Sequence, residues 1–302
     1  MITESQYNSL GTIDNVLTEC TIAAVRIGDN VVIAKNRDRG YKARMNVIHE
    51  IVDGVEILYW HDIDTDWSEG LNEYGIGIVN SSLMVRQDEK EGDKVSKSKK
   101  SKTSFDGKKI RHALIQKTIP KVIKSIISFE GDDKKDVGVK GETIVADEHN
   151  IYIVEMTSKD APVVSKVPKD EKVTVRTNHG IVHKQAGYTS GVKKKSSHKR
   201  MELAQKHLQN VKTDKDVIDR MKEQYSKTKF YNPYRLKNMY NMQTTGQIMM
   251  NLNEKKVVIR MDEEMGEYLG MDNRLPEEYK PKISVKIEDE RTHTKDGKKL
   301  PT

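Results

Sequence analysis

Residues 20–38 read Cys20-Thr21-Ile22-Ala23-Ala24-Val25-Arg26-Ile27-Gly28-Asp29-Asn30-Val31-Val32-Ile33-Ala34-Lys35-Asn36-Arg37-Asp38 and hold the only cysteine of the chain. Two β-rich runs, Thr21 to Ile27 and Val31 to Ala34, flank Gly28-Asp29-Asn30, residues that accept the positive φ of a tight reversal, so the segment predicts a β-hairpin. A hairpin returns its ends to one place, which sets Cys20 close to the polar run Lys35-Asn36-Arg37-Asp38. A thiol beside cations has its thiolate form favoured, and the thiolate is the nucleophile.

Outward from this hairpin the pattern alternates between strand and helix signals. Val47–Val52 and Val55–Trp60 bracket Asp53-Gly54, a second hairpin signal. Glu69-Gly70-Leu71-Asn72-Glu73-Tyr74-Gly75-Ile76 turns into a short apolar strand that ends at Asn80-Ser81-Ser82. From Ile110 to Phe129 the apolar residues Ile115, Ile119, Val122 and Ile126 share a helical face, which Pro120 kinks or splits. Strand patterns follow at 143–146, 150–156 and 173–176, the last stopping at Thr177-Asn178-His179. Ser196 and Ser197 are placed to cap a helix whose Met201, Ala204, Leu208 and Val211 lie on one side, and a further helix covers 214–225. A final hairpin spans 243–252 and 256–260, and beyond Met271 the chain turns polar. This order of elements predicts a layered α+β domain.

The opening Cys-Thr, the hairpin and the closing Asn36-x-Asp38 resemble the N-terminal nucleophile (Ntn) hydrolases, in the branch that holds penicillin acyltransferase and bile salt hydrolase. The Gly-Leu-Asn-Glu-x-Gly-Ile run from Gly70 and the Asn178-His179 pair resemble two further signatures of that branch, and Ser-x-x-Arg at Arg200 a third. The resemblance covers about residues 20 to 262 and implies an αββα sandwich of two antiparallel sheets covered by helices. It divides the chain into a leader, 1–19, removed at Glu19-Cys20; a domain, 20–270, carrying a lysine-rich loop at 86–109; and a polar, partly disordered tail, 271–302. It implies Cys20, Asp38 and Asn178 as catalytic residues: nucleophile, its hydrogen-bonded holder and oxyanion donor. Asn80, Ser81 and Ser82 are candidate lining, with a backbone donor among them, and Lys35, Asn36 and Arg200 support the site. Once freed, the Cys20 α-amine, with an unperturbed pKa of about 7.7 to 8.0, is suited to take the thiol proton. Water resolving the acyl-enzyme makes a hydrolase and an amine an acyltransferase; both stay open, as does the substrate beyond a small linear amide.

Composition sets bounds. The chain has 302 residues, 35% hydrophobic and 33% charged, enough for one large core with polar decorations. One cysteine excludes an intramolecular disulfide, and no basic-then-apolar start or membrane-length apolar run is present, so a cytoplasmic location is expected. The net charge of +7 gathers in Lys94–Lys109, Lys193–Lys195 and the tail. Serines rather than aromatics separate the lysines of 97–102, so base-stacking platforms are absent there and nucleic acid is not the expected partner. No cofactor or metal is implied, and homo-oligomerisation stays open. The alternative is a non-catalytic Ntn-like binding or structural protein whose basic loops meet an acidic partner.

Overall fold

The computed structural model of the protein describes residues 18–83, 106–128, 138–157, 160–228, 231–236, 243–261 and 266–289. Most of the leader, the lysine run at 94–102 and the stretch 291–302 lie outside the described residues.

The first hairpin is longer than its apolar pattern: β1 (Thr18–Ile27) pairs antiparallel with β2 (Asn30–Arg39) along its whole length, from Ile27 opposite Asn30 to Thr18 opposite Arg39. Lys35 to Arg39 therefore belong to the strand rather than to a run leaving it, since their charged groups find partners inside the fold. Next come β3 (Ala43–Val52) and β4 (Val55–Asp62), joined by Asp53 and Gly54 at φ 51° and 73°. Two successive positive φ values make the primed turn that matches strand twist, and Asp-Gly supplies them at little steric cost. β5 (Trp67–Asn72) and β6 (Gly77–Ser81) follow. Pro120 splits the predicted helix into α1 (Asp106–Leu114) and α2 (Ile119–Ile127), where it occupies the first turn and its missing N–H costs no helical bond. β7 (Gly141–Ala146), β8 (Ile151–Met156), β9 (Val163–Lys166) and β10 (Val173–Arg176) lead to α3 (Gly191–Leu208) and α4 (Asp214–Lys222). Thr213 and Asp216 close a capping box on α4. The described chain ends with β11 (Gln243–Asn251), β12 (Lys256–Met261), β13 (Gly266–Asn273) and β14 (Ser284–Asp289).

One sheet has the order β10-β1-β2-β11-β12-β14, the other β13-β3-β4-β5-β6-β7-β8-β9. Alternation along the strands decides the layers. Ile22, Ala24 and Ile33 point inward and meet Met45, Leu58, Trp60 and Val79 of the second sheet. Ala23, Val25 and Ala34 point the other way, onto Ala204, Leu208, Ile218 and Met221 of α3 and α4. On the far side Ile57, Ile78 and Val145 pack against Ile110, Leu114, Val122 and Ile126 of α1 and α2. The result is the four-layer α, β, β, α sandwich.

Several expectations are corrected. The sheets are not purely antiparallel, because β13 joins β3 and β14 joins β12 in parallel at the edges. The first part of the stretch assigned to the tail carries structure, since β14 gains a full ladder from β12 and Ile283 before it is buried; 291–302, where disorder is expected, lies outside the described residues. The expected lysine-rich loop ends before 106, since Lys109 lies buried on α1 beside Asp106 and the Gly138 carbonyl. Ser196 and Ser197 do not cap α3, which starts a turn and a half earlier after Ser190, and β9 is an additional edge strand. Among the described residues no helix is long and apolar enough to cross a membrane.

Ile283 is 2% exposed and packs in the core between the sheets. Ile283→Ala is expected to lower the unfolding free energy by about 2–5 kcal/mol in urea titration, whereas a disordered tail predicts no change.

Candidate functional site

Cys20 sits where β1 outruns its neighbour. The β10 ladder pairs Ile22 with Arg176 and goes no further, so the Cys20 backbone groups on that side have no strand to bond. Side chains serve them instead: the Cys20 N–H donates to Asn178 Oδ1 at 3.0 Å, and Arg200 Nη1 donates to the Cys20 carbonyl at 2.6 Å. Arg200 also bonds Thr21 Oγ1, Asn178 Oδ1 and, at 2.9 Å, Glu19 Oε2. One guanidinium therefore spans both sides of the Glu19–Cys20 peptide bond.

The two faces of this strand pair carry different chemistry. Toward α3 point Glu19 and Asp38, directly opposite one another in the ladder. Glu19 Oε2 accepts from Arg200 and from Arg235 Nη2; Tyr188 lies against it. Asp38 accepts a 2.7 Å bond from Thr244 Oγ1 and faces Arg235 Nε at 3.3 Å. Thr244 reaches Asp38 because β11 bulges between Thr244 and Gly246, so that Thr244 stands opposite Asp38 and Gly246 opposite Arg37. Burial pushes the Asp38 carboxyl up to about 6, against the pull of Arg235 and Arg200.

Into the space between the sheets point Cys20, Lys35, Arg37 and Arg39. Arg39 Nη1 donates to Cys20 Sγ at 3.8 Å and its Nε lies 3.6 Å from Asp62. Arg37 bridges Asp62, at 3.0 Å, and Glu69, and its guanidinium stacks over Trp60. Lys35 pairs with Glu69, which also accepts from Trp67 Nε1 at 2.7 Å. Burial lowers the Lys35 pKa although Cys20 and Glu69 oppose it. On Glu69 burial acts upward, but Arg37 and Lys35 outweigh it and hold the carboxyl low.

Asn178 is fixed in orientation by its donors: Cys20 N–H and Arg200 both require its Oδ1, so Nδ2 faces Ser81 Oγ at 3.2 Å and the Ser82 carbonyl at 2.9 Å. The structure thus brings Cys20, Asn178, Ser81, Ser82, Arg200 and Glu19 together, with Lys35 on the sulfur side. Asn80 is turned away, donating to Thr143 Oγ1 at 2.7 Å. Asn36 ties the sheet to α4 and to the loop at Pro233, donating to the Met221 and Pro233 carbonyls at 2.8 Å each. Asp38 extends from the face opposite Sγ, where it accepts from Thr244 and pairs with Arg235. Arg200 lies in the middle of α3 rather than in its first turn, since the helix begins at Gly191. Ser197 Oγ accepts from the Asn178 N–H at 2.9 Å and contacts His179 Nδ1, and His179 stacks on His198. Burial, then the cations around it, push His179 down to about 4, so it serves as a neutral framing residue.

Sequence reasoning missed Arg39, Arg235, Thr244 and Glu69. Arg39 stood one residue past the quoted hairpin; Arg235 sits in a loop with no periodicity to mark it. No family model matches the sequence, and no curated protein does. Among solved structures the chain is similar to penicillin V acylase from Agrobacterium tumefaciens, with a TM-score of 0.47 and 11% identity over 81% of this chain and 87% of that one.

Because the folded Asp38 pKa, about 6, lies above that of an unfolded aspartate, its effect on stability is most favourable below the unfolded value and is lost as pH rises through about 6. Thermal unfolding of the wild type beside Asp38→Asn is expected to show the variant gaining on the wild type between pH 4 and pH 6.5; parallel profiles would contradict the shift.

Proposed function

We propose that the chain is a cysteine N-terminal nucleophile amidohydrolase or acyltransferase that cuts its own Glu19–Cys20 bond and then acts on a small linear amide. The observation that carries this reading is the fixing of Cys20 at every polar group: N–H by Asn178, carbonyl by Arg200, sulfur by Arg39. A structural cysteine in a core needs none of these.

In the first step Sγ attacks the Glu19 carbonyl carbon. The C–N bond breaks, a thioester joins Glu19 to the sulfur, and the thiol proton ends on the released α-amine. Water then splits the thioester into the Glu19 carboxyl and the Cys20 thiol. In each later turnover the α-amine, still within reach of Asn178 Oδ1, takes the thiol proton, the thiolate forms a thioester with the substrate acyl group, and the α-ammonium returns the proton to the leaving amine. Arg39, beside Sγ, stabilises the sulfur as it becomes negative. Asn178 Nδ2 is the oxyanion donor in this reading; to serve, it exchanges the longer of its two contacts, Ser81 Oγ, for the substrate oxygen. Asp38 acts through Arg235 and Thr244, holding the Glu19 side of the site.

Intact-mass and N-terminal analysis after incubation is expected to show a chain starting at Cys20 in the wild type and the full chain in Cys20→Ala. A wild type that keeps residues 1–19 sinks the reading in favour of an inert binding protein. Asn178→Ala is expected to slow processing by about two to three powers of ten, read from the same time course.

A further inference from the structure

Glu19 leaves behind a vacated place whose chemistry is already defined. Its carboxylate is held by Arg200 and Arg235, which are 0% and 2% exposed, and Asp38 beside them is 0% exposed. Each of these groups also has partners outside the leader. Arg200 remains bonded to the Cys20 carbonyl, Thr21 Oγ1 and Asn178 Oδ1. Arg235 remains bonded to Ser196 Oγ at 2.8 Å, and its backbone exchanges two hydrogen bonds with Thr244. Loss of Glu19 makes this buried site one unit more positive, and removing one partner from a buried ion pair is unfavourable unless another anion replaces it.

In the self-cleavage Glu19 is also the acyl group. Its carbonyl carbon, which the sulfur attacks, and its side-chain carboxylate are joined through Cα, Cβ and Cγ, the skeleton of a glutaryl group. We propose that Arg200 and Arg235 form an acyl-side anion subsite, and that the substrates are monoamides of dicarboxylic acids of glutaryl length. The distal carboxylate takes the place of the Glu19 side chain while Cys20 attacks the amide carbonyl. The inference rests on removal of residues 1–19. The amide C–N bond breaks as the C–S bond forms, the thiol proton passes through the α-amine to the leaving amine, and water releases the dicarboxylate and restores the thiol. A neutral acyl chain of the same length offers no carboxylate in place of the one that bridges Arg200 and Arg235, and leaves Asp38 to face Arg235.

The test uses the full chain after incubation, with intact mass read first. Hydrolysis of glutaryl para-nitroanilide is then compared with that of pentanoyl para-nitroanilide, and the thermal transition is measured with glutarate or pentanoate added. The expected result is a kcat/KM about 10- to 100-fold higher for the glutaryl amide, as charge-assisted hydrogen bonds provide, and a transition raised by glutarate and not by pentanoate. Arg235→Met, compared as a ratio of the two substrates, is expected to reduce that preference through KM. A processed chain with neither a glutaryl preference nor a glutarate shift overturns the subsite alone. A chain that retains residues 1–19 overturns the subsite together with the processing on which it rests.

Discussion

Arg200 is the group on which the geometry around Cys20 depends. Lying on α3 with no exposed surface, it reaches across the first sheet to the Cys20 carbonyl, Thr21, Asn178 and Glu19. A buried guanidinium is tolerated when its donors are met by well-placed acceptors, and here the acceptors of the two Nη groups include the residues on both sides of one peptide bond, Glu19 and Cys20. That requirement fixes the end of β1 against the helix layer, orients the Asn178 amide, and leaves the Cys20 N–H no ladder partner but Asn178. Helix, strand end and the turn after β10 are held in one arrangement by a single charge.

The opposite face of the same strands obeys the same electrostatic rule with a different outcome. Lys35, Arg37 and Arg39 stand with Asp62 and Glu69 between two apolar sheets. Each buried ion costs several kcal/mol in lost hydration, which pairing roughly returns. Such a cluster is therefore poor as a source of stability compared with the Leu58, Trp60 and Met45 packing around it. Its consequence is positional: an arginine is delivered to Sγ on a rigid strand, where a loop would hold it less firmly.

Much of this was legible in the residues. Hairpins at 27–30 and 52–55 follow from Gly and Asp at positions that require positive φ, and Pro120 divides its helix because its ring is compatible only with a first turn. Cys20 and Asn178, marked by separate stretches of sequence, meet through the Cys20 N–H and Asn178 Oδ1. β14, Ser-Val-Lys-Ile-Glu-Asp, is a short edge strand: Ile283, Val285 and Ile287 alternate with polar residues, but only pairing with β12 gives the segment a ladder. Ser196 and Ser197 misled because serines in a helix interior and at its cap look alike until the partners of their hydroxyls, Arg235 and Thr177, are known.

The sequence by itself determined the elements and the chemistry in hand: alternating strands, amphipathic helices, one thiol, and a polar run at the end of its hairpin. Those are set by local sterics and by side-chain periodicity, which act over a few residues. Tertiary structure alone decided which charges meet. Glu19 joins Arg200 and Arg235 across 181 and 216 residues of chain, and Asp38 joins Thr244 across 206. No local rule reaches that far; burial between packed layers forces such partners together, because a charge removed from water must find its counterpart wherever the fold has placed one.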